Sequence, residues 1–174
     1  TELLVETALD FLPPEKPALV LDLGVGTGAI LLSVLSERPG AVGVGVDVSE
    51  AALAVARANG ATLGLNERVD WRLGDWGEGL KSGFDLILSN PPYIASEEIG
   101  ALAPEVARHE PRLALDGGSD GLDAYRKLLP HIRALLAPGG RFALEVGKGQ
   151  ADAVWALIDQ AGLSPLDTRA DLAG

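Results

Sequence analysis

The most specific chemistry in this chain lies in the tetrapeptide Asn90-Pro91-Pro92-Tyr93. Two successive prolines each hold φ near about −65°, so the loop is stiff. Pro91 lacks an N–H, which leaves its carbonyl as an acceptor only, and Asn90 sets a neutral side-chain oxygen beside it. Two acceptors on a rigid frame suit the two N–H bonds of an –NH2 group, and Tyr93 can lie against the plane of an amide or a base. An amide nitrogen is a poor nucleophile because its lone pair is delocalised into the carbonyl. Holding both hydrogens lets positive charge build on nitrogen as the lone pair turns toward an electrophile, with positioning supplying much of the acceleration. Asn90, Pro91 and Tyr93 are the candidate catalytic residues, and Asn90 to Tyr93, Pro92 included, form the candidate substrate loop. Neither a metal nor a covalent intermediate is needed. The loop alone does not separate a protein amide from the amino group of a nucleic-acid base, and Asn-Pro-Pro also serves as a plain turn.

Three further groups suit a nucleotide-like cofactor. Gly24-Val25-Gly26-Thr27-Gly28 permits a tight turn and lets backbone N–H groups approach a ligand at a helix N-terminus. With Ala29 it also satisfies the dinucleotide fingerprint, so its ligand stays open. Asp22, just before the glycines, is expected to brace the loop backbone. Asp47 can accept both hydroxyls of a ribose, or can equally cap the helix that follows it. In Gly74-Asp75-Trp76, Asp75 can accept from an exocyclic N–H of adenine while the Trp76 indole covers the ring. Trp76 could instead be a packing residue.

Alternating elements place all these groups. Residues 18–23, 42–46, 68–73, 84–89 and 141–146 read as strands, each short and apolar enough to be buried. Helices are expected at 1–12 with Thr1 as N-cap, 27–37, from Ser49 to about 59, 121–136 and 151–160, with Pro138-Gly139-Gly140 turning into the last strand. Strands alternating with helices predict an α/β fold, a doubly wound and mostly parallel sheet covered on both faces. Ligands of such sheets bind beyond the carboxyl ends of the strands. The glycine loop, Asp47, Asp75 and Asn90 all fall there.

Composition narrows the function classes. A chain of 174 residues fits one domain, 47% apolar and 5% aromatic, so aliphatic residues and alanine fill the core. No run reaches the about 18 apolar residues of a membrane span, and no signal segment opens the chain, so a cytoplasmic monomer away from membranes is expected. The absence of cysteine excludes disulfides, thiolate metal sites and cysteine nucleophiles. A net charge of −11, without a basic stripe, argues against nucleic acid as the main partner.

Leu21-Asp22-Leu23-Gly24-Val25-Gly26-Thr27-Gly28, then Asp47, then Asn90-Pro91-Pro92-Tyr93 resembles the class I methyltransferases that modify exocyclic amino or amide nitrogens. Within them the chain is most similar to the protein-(glutamine-N5) methyltransferases that act on peptide chain release factors. Thr1 to Glu6, His109 to Leu115 and Gly121 to Tyr125 carry that narrower likeness, which covers essentially the whole chain. The resemblance implies a Rossmann-like fold and S-adenosyl-L-methionine as cofactor, leaving S-adenosyl-L-homocysteine as product. Gly24, Val25, Gly26, Thr27, Gly28, Asp47, Asp75, Trp76 and Asn90 would bind it, and Asn90, Pro91, Pro92 and Tyr93 would hold the glutamine of a Gly-Gly-Gln loop in the release factor. Val25 departs from the commoner threonine or cysteine, at a position where backbone groups do the binding.

The resemblance also implies an N-terminal helical domain that this chain does not contain and a last strand beyond Gly174. Residues 165–172 are accordingly expected to be poorly ordered or rearranged rather than paired with 141–146. Ile94 to Asp120 is long for a loop in a compact domain and reads as a cover over the Asn90 loop. Arg108, His109, Glu110 and Arg112 within it could meet a partner or brace the loop, and His131 reads as a surface residue. The alternative readings are methylation of a nucleic-acid base on a flipped nucleotide, a nicotinamide-dependent oxidoreductase, and a non-catalytic binding domain.

Overall fold

The strands that read as unbroken apolar runs are the central ones. Val20, Leu21 and Leu23 of β1 (Ala18–Leu23) and Leu86, Ile87 and Leu88 of β4 (Phe84–Ser89) are buried. The computed structural model describes residues 2–101 and 111–170. Around this pair lie β2 (Ala41–Asp47), β3 (Val69–Leu73) and β5 (Leu136–Leu144), in the order β3-β2-β1-β4-β5, with every pairing parallel. Chain direction across the sheet reverses between β1 and β4, so their carboxyl ends flank the position where an open α/β sheet binds ligands.

The described chain divides into two compact units, Thr1–Asn90 with His131–Glu145, and Pro91–Pro130 with Val146–Gly174. The first holds the whole sheet with α1 (Glu2–Phe11), α2 (Ala29–Glu37) and α3 (Glu50–Thr62). Leu4, Ala8 and Leu12 from the first helix and its exit, Ile30, Leu31, Val34 and Leu35 from α2, and Leu53 from α3 join one core with Val20, Leu86 and Leu88. Each fully buried aliphatic side chain is worth about 1.5–3 kcal/mol. Small residues on β2 make room for side chains of α2 and of the neighbouring strand β3. A Cβ on Gly43 would come within 2.8 Å of Leu31, and one on Gly45 within 2.8 Å of Trp71. Ser49 caps α3 as expected, its hydroxyl accepting from Ala52 N at 3.2 Å.

The second unit contains α5 (Ala151–Gln160) and the ends of the long connection after β4. That connection is less irregular than its sequence suggests. Ile94 N donates to Leu115 O at 3.0 Å, Gly117 N to Ile94 O at 2.8 Å and Ser96 N to Gly118 O at 2.9 Å, stitching its two ends together. Asp116 fastens the seam, accepting from Ser96 Oγ at 2.6 Å and Gly118 N at 3.0 Å. These hydrogen bonds hold its carboxyl below the usual range. Arg112 turns back onto Asp116 at 3.2 Å, in a single helical turn, Arg112–Leu115. Arg108, His109 and Glu110 lie outside the described residues, as does Thr1.

Helix α4 (Asp123–Leu135) and β5 depart from the expected boundary. Pro138-Gly139-Gly140 was expected to turn between them, yet the strand begins at Leu136 and absorbs these residues in an irregularity of register opposite Phe84 and Leu86. Gly139 takes φ 80°, which lets the strand bend without ending. Residues 165–170 form no strand, and Trp155 Nε1 donates to Thr168 Oγ1 at 2.8 Å. His131 is half-buried rather than a free surface residue, since a Cβ on Gly77 would stand 3.0 Å from the His131 Cβ. Among the described residues, no helix is long and apolar enough to cross a membrane.

Candidate active site

The glycine loop leaves β1 through three left-handed residues, Gly24, Gly26 and Gly28, at φ 74°, 55° and 80°. Only glycine adopts such angles without strain, so the loop is written into the sequence. Gly24 N and Val25 N both donate to Val46 O at 2.9 Å, tying the loop to the end of β2. Gly28 is closely enclosed, since a Cβ there would stand 3.1–3.2 Å from Leu32, Ala56 and Trp71. The Val25 side chain is buried, and a Cβ on Gly45 would lie 3.1 Å from its Cγ2. Val25 thus faces the core and leaves only its backbone to the loop, as its departure from threonine requires.

The bracing role that the sequence suggests for Asp22 falls to Asp47. Asp22 was expected to brace the loop, but it is fully buried and neither carboxyl oxygen has a hydrogen-bond partner. Burial pushes its pKa up to about 7, the Leu31 amide opposes that rise without completing a hydrogen bond, and the nearby Asp47 carboxylate adds to it. Asp47 is the brace. Its Oδ2 accepts from Gly26 N at 2.8 Å and its Oδ1 from Ser49 N at 2.9 Å. Both sequence readings of Asp47 are compatible with this, because a carboxylate oxygen keeps a second lone pair after one such bond.

Trp76 follows β3 and is brought to the glycine loop, where a Cβ on Gly24 would meet its Cζ3 at 3.8 Å. It is half-buried and stands apart from the buried core. Among the described residues it is also the non-glycine with positive φ, at 49°, a conformation costly for a bulky side chain and found where surroundings impose it. Gly74 N donates to Asp47 O at 3.0 Å, which joins the β3 exit to the β2 exit. Asp75 is exposed beside it.

Asn90 closes the set in the first unit. The residue before it, Ser89, is buried, and its hydroxyl donates to Leu23 O at 2.6 Å, so the ends of β1 and β4 are locked together directly before the glycine loop and Asn90. Sequence reasoning missed Ser89, although a lone hydroxyl ending the run Phe-Asp-Leu-Ile-Leu was a usable signal. It missed Trp71 as well, whose indole underlies Gly28 and Gly45 and donates through Nε1 to Asn66 Oδ1 at 3.1 Å. Pro91, Pro92 and Tyr93 open the second unit. Pro91 is buried and Tyr93 half-buried.

A family model described as methyltransferase small domain matches residues 1–119. Proteins named release factor glutamine methyltransferase are similar along the chain. That of Caulobacter vibrioides is 55% identical over 173 residues, covering 99% of this chain and 60% of its own length. That of Rhodospirillum rubrum is 50% identical over 174 residues, covering 100% and 53%. This chain therefore spans between about half and three fifths of these relatives. Among solved structures, a methyltransferase from Pyrococcus furiosus superposes with TM-score 0.71 at 21% identity, over 98% of this chain and 75% of its own. The ribosomal protein L11 methylase of Lactobacillus delbrueckii subsp. bulgaricus gives 0.70 at 18%, over 98% and 73%. At such identities the two structures attest the Rossmann-like fold.

Proposed function

The chain belongs to the methyltransferase small domain family, and from that premise we propose that it transfers a methyl group from S-adenosyl-L-methionine to the side-chain amide nitrogen (N5) of a glutamine in the Gly-Gly-Gln loop of peptide chain release factors. The observation that carries this reading is the lock between Ser89 and Leu23, which sets Asn90 at the same carboxyl end of the sheet as Gly24 to Gly28, Asp47 and Trp76. The similarity to release factor glutamine methyltransferases, at 50% and 55% identity, supports this substrate class.

The residues present fit such a cofactor. Gly24 to Gly28 bring bare backbone to the carboxyl end of the sheet, Asp47 has acceptor capacity for ribose hydroxyls, and Asp75 and Trp76 supply a carboxylate and an aromatic face for adenine. When bound, the cofactor supplies an electrophilic methyl group on a sulfonium. Asn90 and the Pro91 carbonyl accept the two amide hydrogens of the substrate glutamine and turn its nitrogen lone pair out of conjugation. Tyr93 lies against the amide plane. The proton left on nitrogen after transfer is lost to water, so no side chain is required as general base. Release factors as substrates place the reaction in translation termination, hence in the cytoplasm.

Incubation with methyl-labelled cofactor, a release factor, DNA and rRNA tests the reading. Label should enter the Gly-Gly-Gln glutamine and be lost with Asn90→Ala. Label in nucleic acid alone would transfer the assignment to base methylation.

A further inference from the structure

The second unit holds a partly buried polar contact that this chemistry leaves unused. Gln150 Nε2 donates to the backbone oxygen of Tyr93 at 2.9 Å, reaching back 57 positions along the chain. The N–H of the same peptide unit, on Ile94, donates to Leu115 O at 3.0 Å. The peptide plane that ends the Asn90–Tyr93 loop is thus held at both its oxygen and its nitrogen. Gln150 is itself fixed at the entrance of α5, where its N–H donates to Gly147 O at 3.0 Å and its carbonyl accepts from Val154 N at 2.9 Å.

Two glycines make the slot for its side chain. A Cβ on Gly147 would lie 2.5 Å from Gln150 Oε1 and 2.9 Å from Tyr93 Cδ2, and one on Gly121 would overlap Gln150 Nε2 and the Tyr93 oxygen. The amide orientation follows from its partner, since the reverse would set two oxygens face to face. Gln150 Oε1 is buried without a donor. An unpaired buried amide oxygen costs more than one neutral hydrogen bond returns, so the contact is a poor device for stability. A methionine or leucine of similar size would remove the orphaned Oε1, at the cost of the donor that Gln150 gives to the Tyr93 oxygen. What the contact does supply is orientation, since it fixes the Tyr93 oxygen from a residue far away in sequence.

We propose that Gln150 is a positioning residue for the substrate loop: it holds the Tyr93 carbonyl, and so the backbone from which the Tyr93 ring projects, while touching neither cofactor nor substrate. This rests on the reading of Asn90 to Tyr93 as the loop that holds the substrate amide.

The test compares the full chain with Gln150→Met and Gln150→Leu by three measurements. Amide exchange at Ile94 should quicken about tenfold in both variants, because one end of its peptide plane is released. The kcat for release factor should fall about tenfold or more while calorimetric affinity for S-adenosyl-L-methionine holds, because its proposed ligands lie in the first unit. The melting temperature should change little, because removal of the orphaned Oε1 offsets the donor lost to the Tyr93 oxygen. Unchanged exchange at Ile94, or a kcat that falls only as far as stability does, overturns the proposal. If the unsubstituted chain methylates no release factor, the substrate reading fails separately, and exchange at Ile94 alone decides whether Gln150 pins the loop.

Discussion

Asp22 and Asp47 end neighbouring strands in opposite surroundings, one sealed without a donor and the other holding two backbone N–H groups. For Asp22 the folded pKa of about 7 lies above the ordinary 3.8, so between those values the folded protein holds a proton that the unfolded chain has lost. Stability is then full below the lower value and declines as pH rises through the upper one, by an amount on the order of a few kcal/mol. Thermal unfolding at pH 5 and pH 8 should show that decline in the unsubstituted protein and a flatter profile in Asp22→Asn. Equal slopes would mean that the carboxyl is ionised throughout. At Asn90, replacement by alanine removes one of two proposed acceptors and should lower kcat about a hundredfold, measured with saturating release factor. Neither the isolation of Asp22 nor the hold of Gln150 on Tyr93 was legible beforehand. The first depends on which donors fail to arrive, and the second on a backbone oxygen far away in sequence, and neither leaves a pattern of spacing.

At the scale of elements, physical chemistry explains what could be read. β1 and β4 are mostly apolar, with Val20, Leu21, Leu23, Leu86, Ile87 and Leu88 buried, and their bounds match the expected ones at 18–23 and 84–89. The glycine loop and the Ser49 cap were readable because φ above zero and a free N–H at a helix start each demand particular residue types. The start of β5 was not, because Pro138-Gly139-Gly140 has turn chemistry while its neighbours on β4 keep it in the sheet. Gly28 shows how closely the layers are fitted. At φ 80° with neighbours at 3.1–3.2 Å, Gly28→Ala should cost about 1–3 kcal/mol from overpacking, plus backbone strain. Denaturant unfolding with an unchanged slope and a lower midpoint would show it, and an unshifted midpoint would mean that Leu32 and Trp71 move aside freely.

Across the whole molecule, a charge of −11 on 174 residues sets which partners approach. Nucleic-acid affinity depends on phosphates neutralised by Lys and Arg, and 14 such residues stand against 25 acidic ones. The chain should therefore pass through immobilised heparin unretained at low salt and leave the anisotropy of labelled DNA and RNA unchanged, whereas retention that weakens with salt would reopen base methylation. The division of the chain carries a different lesson. Every proposed cofactor residue, from Gly24 to Asn90, belongs to the unit that holds the sheet, while Pro91, Pro92, Tyr93 and Gln150 belong to the other. An inheritance divided after Asn90, Pro130 and Glu145 lets one part be kept as a general-purpose handle while the other is rewritten for new clients. Chimeras that exchange residues 91–130 and 146–170 between distant relatives should then change what is methylated before they change what is consumed.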